Sequence, residues 1–475
     1  AAVSGYIKPV MRRYIENLEI ELKEEGFQGA LLLMQGNGGV AGPDAVVERP
    51  IGQIQSGPAG GVIAGSFIGQ RAGFKNLITA DMGGTSFDVC MIVDGQPRVT
   101  EETMIDYRIP VRYSMIEIQS IGAGGGSIAW IDSAGILQVG PQSAGATPGP
   151  VCYGLGNTEP TVTDANLVLG HIDPSNVIGG GEEISLDRGL AEKAVVERIG
   201  RPLGLTKDEA ATAILKLVNS NMVGRIRTIS VERGYDPRKF VMIAFGGTGP
   251  LHAVSIAKEV GISKVLVPRY PGVLSALGCV ISDMRHDYVQ TLNKKVEHVR
   301  EGEIEEAIEQ LASKGRDTLN QEKVPFSDIK VMVEADMAYE RQRHTVKVPL
   351  PVSSLNASKI KDLFERVYKE TYGHLLPQLS IKLVNLRTAV IGVRPNPEFK
   401  KLTKTEETVN VIKGERQVFF NGKWITTPVY NRPLLSFGYR IAGPAVIDQE
   451  DTTVLLEPNC IGTVDEWGNL IVEVG

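Results

Sequence analysis

The sequence predicts an α/β domain followed by an α+β and then an all-β C-terminal region, and three observations predict it. Two apolar runs that close on small, glycine-rich turns, within residues 77–95 and 239–249, are separated by the longest helical pattern of the chain, residues 205–233. A helical stretch to Val260 and a strand at 264–268 follow the second turn, so strand and helix alternate as they do around a largely parallel sheet. Beyond about residue 287, charged helical patterns at 302–320 and 359–371 are interspersed with alternating strands at 330–339 and 344–350. Residues 417–474 then break into short strands with Asn-Gly and Gly-Asn turns.

The remaining elements fit that frame. Residues 6–25 place apolar side chains at helical spacing with charges between them, and Gly26 stops the helix. Residues 29–40 read as a short buried strand closing on glycines. Ser56-Gly-Pro-Ala-Gly-Gly-Val-Ile-Ala-Gly65 reads as a helix start whose small residues allow either close packing or contact with a phosphate. A glycine run at 121–127 leads into a hairpin, 128–139, that turns at Ser133-Ala-Gly135. The 205–233 helix is expected to be capped at Thr206 or Lys207, punctuated by Gly224 and stopped by Gly234.

Bulk properties exclude several function classes. A chain of 475 residues with 42% apolar side chains can bury several cores, about two to four domains' worth. A formal charge of -6 gives no basic excess for a phosphate backbone, so no nucleic-acid partner is expected. No stretch approaches the roughly 20 apolar residues that span a bilayer, and residues 1–6 lack a signal peptide's basic and apolar regions, which makes the cytoplasm the expected location. Cys90, Cys152, Cys279 and Cys460 are far apart with no CxxC pair, against both a disulfide framework and a closed structural zinc site.

Two turns carry chemistry. In Asp81-Met-Gly-Gly-Thr-Ser-Phe-Asp88, Gly83 and Gly84 let the backbone close on an anion while amides and the hydroxyls of Thr85 and Ser86 donate to it. Asp81 would hold Mg²⁺ through water, and Asp88 would pin the turn or orient a water. The competing reading is a plain Asx-type hairpin turn. In Phe245-Gly-Gly-Thr-Gly-Pro250, the backbone of Gly246, Gly247, Thr248 and Gly249 offers amides at a strand-to-helix junction and room for a flat base or ribose, where a mere tight connection is the alternative. Neither turn is a GxxxxGK[ST] or a GxGxxG motif. In this order, separated by a helical region, the two point to a lobe of the ribonuclease H-like actin, sugar-kinase and chaperone ATPase superfamily.

The motifs Met34-Gln-Gly-Asn-Gly-Gly39, Ser56-Gly-Pro-Ala-Gly-Gly61, residues 81–88, Ile121-Gly-Ala-Gly-Gly-Gly-Ser127, Pro148-Gly-Pro-Val-Cys-Tyr-Gly154, Glu159-Pro-Thr-Val-Thr-Asp-Ala-Asn-Leu167, residues 245–252 and Gly443-Pro-Ala-Val-Ile447 occur in one order along the chain. In these the sequence resembles the hydantoinase A/5-oxoprolinase family, to which acetone and acetophenone carboxylase subunits are related. The resemblance implies ATP and Mg²⁺ as cofactors, a small cyclic amide as substrate, ring opening through a phosphorylated amide, and a hydantoinase B-like partner in a hetero-oligomer. Asp81 and Asp88 would be the catalytic residues. Family members open with a further glycine-rich, aspartate-bearing phosphate turn that does not precede Ala1, so a missing N-terminal lobe supplied from elsewhere is expected. The expected segments are then 1–75, the end of a first lobe with an interlobe helix; 76–286, the nucleotide-binding lobe; and 287–475, the α+β domain with its small β module.

Cys152, Asp164 and His252 are metal-capable side chains within these motifs, and an additional divalent metal would need them to meet; a structural role is the other reading. His171, His286 and His298 lack ligand spacing, and packing or subunit contacts explain His344 and His374 as readily as chemistry does. A ketone-carboxylase subunit and a non-catalytic nucleotide-binding assembly subunit are the competing functions.

Overall fold

A computed structural model describes residues 2–105, 109–175, 185–395, 397–404 and 410–475. The chain groups into two compact units, one of residues 57–100, 116–278 and 398–475 and the other of residues 1–56, 101–115 and 279–397.

The first unit is built on a nine-stranded sheet. Leu77–Met82 runs parallel to Val241–Phe245, which runs parallel to Lys264–Val267. Phe87–Val93 folds back antiparallel onto Leu77–Met82. Side chains alternate across a strand, so Leu77 and Thr79 share one face and Ile78, Ala80 and Met82 the other. The first face is covered by the helix Ser56–Arg71, whose Gly61, Gly65 and Gly69 recur every four residues and so form a smooth stripe. A Cβ at Gly65 would lie 3.5 Å from Thr79, one at Gly61 only 2.6 Å from the Phe245 ring, and one at Gly69 would collide with Leu77. Close packing is therefore what the small residues of that segment serve. On the opposite face Ile78, Ala80, Met82 and Met91 share a core with Ala210, Ile214, Val218 and Met222 of the helix Lys207–Ile229. That helix begins with a reciprocal cap: Thr206 Oγ1 accepts from the Glu209 amide and Glu209 Oε2 accepts from the Thr206 amide at 2.8 Å.

A four-stranded sheet in the same unit contains Ile412–Phe420, Lys423–Asn431, Ala445–Gln449 and Thr452–Leu456. Its first hairpin turns at Asn421-Gly422, where φ is +48° and +83°, the left-handed pair that lets a two-residue loop follow the strand twist.

The second unit is an antiparallel sheet of Met284–Lys295, Ile381–Val393, Asp328–Tyr339 and Val346–Leu350, edged by the short hairpin Leu33–Met34 and Val40–Ala41. The helices Glu303–Gln321 and Ala357–Tyr372 bury Ile304, Ile308, Ile360 and Phe364 against Val333, Ala335, Met337 and Leu386. The helix Ala2–Glu24 buries only Ile15. Among the described residues no helix is long and apolar enough to cross a membrane.

Contacts thus divide the chain differently from the linear segments 1–75, 76–286 and 287–475. Val40 pairs parallel with Met284, which ties residues near the start to the sheet beyond 279. The last strands do not form one all-β module: Leu470–Glu473 adds antiparallel to Lys264–Val267, and Arg440–Ala442 and Ile461–Val464 extend the large sheet from there. Local pattern identifies these strands, but their sheet is chosen by which open edge they meet.

Candidate functional site

The strands Leu77–Met82, Val241–Phe245 and Lys264–Val267 are parallel, so the turns that leave them emerge at one edge of the sheet, the edge where parallel sheets hold ligands. A cavity of about 340 Å³ opens there, lined by Gly83, Gly84, Gly125, Thr248, Gln449 and Asp451 among others. Three sequence-distant glycine turns are stapled to one another around it. The Gly83 carbonyl accepts from the Gly125 amide at 3.0 Å and from Thr248 Oγ1 at 3.0 Å, the Gly84 carbonyl from the Gly126 amide at 2.7 Å, and the Met82 carbonyl from the Thr248 amide at 3.0 Å.

This stapling revises how the first turn works. The Gly83 amide closes the turn on the Ser86 carbonyl, and the Ser86 hydroxyl donates to Asp88 Oδ2 at 3.1 Å, so both face inward. The carbonyls of Gly83 and Gly84 bind the neighbouring turns. The amides of Gly84 and Thr85 are left with no acceptor among the described residues, on residues that are exposed. Gly246 stands at φ +81°, against the Met82 carbonyl and 2.7 Å from Asp81 Oδ1 measured from an ideal Cβ. Gly247 is exposed, Thr248 ties the second turn to the first, and Gly249 opens the helix Gly249–Val260.

Asp81 and Asp88 are direct cross-strand partners. Burial, and then the facing Asp88, push the Asp81 carboxyl up to about 7. Burial also raises Asp88, against the opposing effect of hydrogen bonds from Ser120 and Ser86. Among the described residues neither carboxylate has a Lys or Arg partner, so the pair is an uncompensated anionic site at the base of the hairpin whose turn carries Gly83 and Gly84, although neither aspartate lines the cavity itself.

Cys152, Asp164 and His252 do not form a ligand set. Asp164 is fully buried, and its two oxygens accept four hydrogen bonds, from the amides of Val151, Cys152 and Thr161 and from the Thr161 hydroxyl, at 2.8–3.1 Å. It caps the helix Val162–Val168 and fastens the 151–153 turn to it. Burial, reinforced by Asp164, pushes the Cys152 thiol far up, away from the thiolate a metal requires. His252 spends both ring nitrogens on Asn219 Oδ1 at 2.7 Å and Asn166 Nδ2 at 3.2 Å, and burial, aided by His171, lowers its pKa to about 3. Among the described residues no three His, Cys, Asp or Glu side chains are grouped as a metal would need. Asp164→Asn, which turns an NH₂ group onto N–H donors, is expected to cost about 2–3 kcal/mol in chemical denaturation; an unchanged midpoint would contradict the capping role.

Comparison with known proteins decides the family. Residues 1–288 match the hydantoinase/oxoprolinase model and residues 291–472 the hydantoinase/oxoprolinase C-terminal domain. The chain belongs to the hydantoinase/oxoprolinase family. Caprolactamase subunit alpha of Pseudomonas jessenii is 39% identical over 96% of this chain and 66% of its own length, and acetophenone carboxylase gamma subunit of Aromatoleum aromaticum is 33% identical over 100% and 66%. The crystal structure of the ATP-dependent caprolactamase from Pseudomonas jessenii superposes with a TM-score of 0.85 at 37% identity, covering 99% of this chain and 69% of that one, so the mixed α/β fold is shared. The chain spans about two thirds of the length of these relatives.

Within this hydantoinase/oxoprolinase fold, sequence reasoning placed the first and third turns but assigned no role to Gly125 and Gly126, although their glycine run was conspicuous. It assigned nothing to Gln449 and Asp451, which also line the cavity, since a Gln-Glu-Asp-Thr-Thr turn between two strands carries no local signal.

Proposed function

We propose that this chain binds ATP in the cavity at residues 83–84, 125–126 and 247–248, as an actin-like ATPase lobe does, and serves as the ATP-binding subunit of an enzyme that opens cyclic amides. The observation that carries the reading is the opposed Asp81–Asp88 pair beside three glycine turns stapled around one cavity. Backbone amides at Gly84 and Thr85, which meet no acceptor among the described residues, provide donors for phosphate oxygens.

The residues present fit Mg²⁺. Two half-buried carboxylates with no cationic partner among the described residues, one of them with its pKa raised to about 7, form a hard-oxygen donor set whose repulsion a divalent cation relieves. Asp81 would hold the ion, directly or through water, with Asp88 behind it. When bound, Mg²⁺ would neutralise charge on the nucleotide phosphates. The chain's own part is positioning: the stapled turns hold the donor amides still, and Ser86 and Ser120 fix the Asp88 carboxylate.

The relatives support the class of reaction we propose. Transfer of the terminal phosphoryl group of ATP to a lactam or imide carbonyl oxygen turns an inert amide into an activated one and releases ADP. Water then adds at that carbon, the ring C–N bond breaks as the nitrogen takes a proton, and phosphate departs on hydrolysis, leaving the ring-opened acid. A hydantoinase B-like subunit is the partner in which we place part of this chemistry. The 33% identity to an acetophenone carboxylase subunit supports a second reading, in which the activated oxygen belongs to a ketone and bicarbonate is the co-substrate.

Calorimetric titration of Mg·ATP into the chain tests the common core of both readings: binding with a dissociation constant below about 1 mM, near −4 kcal/mol, is expected. A flat isotherm would overturn the ATP assignment. With the partner subunit present, ADP release driven by lactams or by ketone plus bicarbonate separates the two reactions.

A further inference from the structure

We infer that the turn between Ala445–Gln449 and Thr452–Leu456 recognises the nucleoside end of the nucleotide, by presenting Gln449 Oε1 and Asp451 Oδ1 to its hydrogen-bond donors; this rests on the ATP reading above. Both oxygens are buried without a hydrogen-bond partner among the described residues, and both side chains line the cavity. An unpaired buried acceptor is costly, and two at one turn mark a place where something else donates.

The orientation of each is set by its other end. Asp451 Oδ2 accepts from the Gly272 amide at 2.8 Å, and Gln449 Nε2 donates to the Arg269 carbonyl at 2.9 Å. Flipping the Gln449 amide would set oxygen against oxygen, so its carbonyl stays toward the unpaired side. The buried Arg432 lies within electrostatic reach of Asp451, but its Nη2 donates to the Val267 and Pro268 carbonyls, and its Nη1, likewise without a hydrogen-bond partner among the described residues, makes no bond to Asp451 Oδ1. The turn is also held to the glycine cradle, because Thr452 Oγ1 donates to the Gly247 carbonyl at 3.0 Å. The acceptors therefore lie beside Gly247, in the cradle whose neighbouring Gly246 packs against Asp81.

Two acceptors without donors select a ligand with N–H or O–H groups to give. A nucleoside offers ribose hydroxyls and, in adenine, an exocyclic amine; an inorganic polyphosphate offers neither. A site built around such groups rejects ligands that leave them unpaired.

The test titrates the full chain with Mg·ATP, Mg·2′-deoxy-ATP, Mg·GTP and Mg·tripolyphosphate, for the unaltered chain and for Asp451→Asn and Gln449→Met. In Asp451→Asn the amide oxygen keeps the Gly272 contact and an NH₂ group faces the ligand's donors. Each substitution is expected to weaken Mg·ATP about tenfold or more while Mg·tripolyphosphate changes less than about twofold. Weak binding of 2′-deoxy-ATP by the unaltered chain assigns the contact to the ribose, and weak binding of GTP assigns it to the adenine amine. Gln449→Met leaves the Gly272 contact intact and decides the matter if Asp451→Asn does not fold. Unaltered Mg·ATP affinity in the folded variants, or equal affinity of the unaltered chain for Mg·ATP and Mg·tripolyphosphate, overturns this inference alone. An unaltered chain that binds none of the four removes the ATP reading, and this inference with it.

Discussion

Asp81→Asn is expected to make the chain more stable at pH 8 while weakening Mg·ATP at least about tenfold, near 1.4 kcal/mol, and slowing ATP turnover by about 10²–10³. The two effects have one source. Asp81 carries a pKa of about 7 in the fold against an ordinary value of 3.8, because burial and Asp88 penalise its charge. Between those values the folded chain holds a proton that the unfolded chain has released. Stability conferred by that proton is complete below the ordinary value and is lost as pH rises through about 7. Asn has no such proton to lose, so the variant's curve should lack this descent and should end above the parent by on the order of 2 kcal/mol at pH 8, after allowance for partial solvent access. Denaturant titrations at pH 4, 6 and 8 check the sign. A variant that is less stable than the parent at pH 8 would mean that Asp81 is compensated in the fold. A variant that binds Mg·ATP normally would detach the carboxylate from the site.

Gly246→Ala is expected to be more damaging to the fold than Asp164→Asn or Asp81→Asn. At φ +81° an added methyl group strains the backbone by about 1–2 kcal/mol. It also meets the Met82 carbonyl oxygen, which as backbone cannot swing aside, and Asp81 Oδ1 at 2.7 Å. Overpacking of this kind costs about 1–3 kcal/mol more, for a total of about 2–5 kcal/mol and a fall in Tm on the order of 10 °C. Thermal unfolding measures it, with Gly84→Ala as the control: a Cβ at Gly84 meets nothing within 4 Å and φ there is not left-handed, so it should leave Tm almost unchanged. Equal behaviour of the two variants would show that the close approach at Gly246 is not what holds the turns together.

The parts of this site that are legible in sequence are those made by neighbours along the chain. The strand, turn and strand from Leu77 to Val93 form one hairpin, so the residues that build it lie next to each other in sequence, and the junction at Phe245 to Gly249 is local in the same way. The reciprocal cap at Thr206 and Glu209 is legible for the same reason. What the turn atoms do was less legible. Gly83 was expected to offer its amide to an anion, yet that amide closes the turn and the carbonyl does the outward binding, a choice dictated by Gly125 and Thr248, which arrive from other segments. Cys152, Asp164 and His252 show the converse limit: residue type announces lone pairs but not whether backbone amides and asparagines have already taken them. Gln449 and Asp451 come from a strand turn just over two hundred residues past Phe245, and the destination of the last strands depended on an open edge at Lys264–Val267 that no local pattern describes.

That late arrival orders the events of synthesis. The sheet that begins with Leu77–Met82 has the partner for its Lys264–Val267 edge, and the turn bearing Asp451, only after residues 279–397 of the other unit have been made. At roughly 5–20 residues per second that interval is on the order of ten seconds. Through it a buried apolar strand stands on the nascent chain with one row of amides and carbonyls unpaired, the state most open to wrong pairing or to capture by a chaperone.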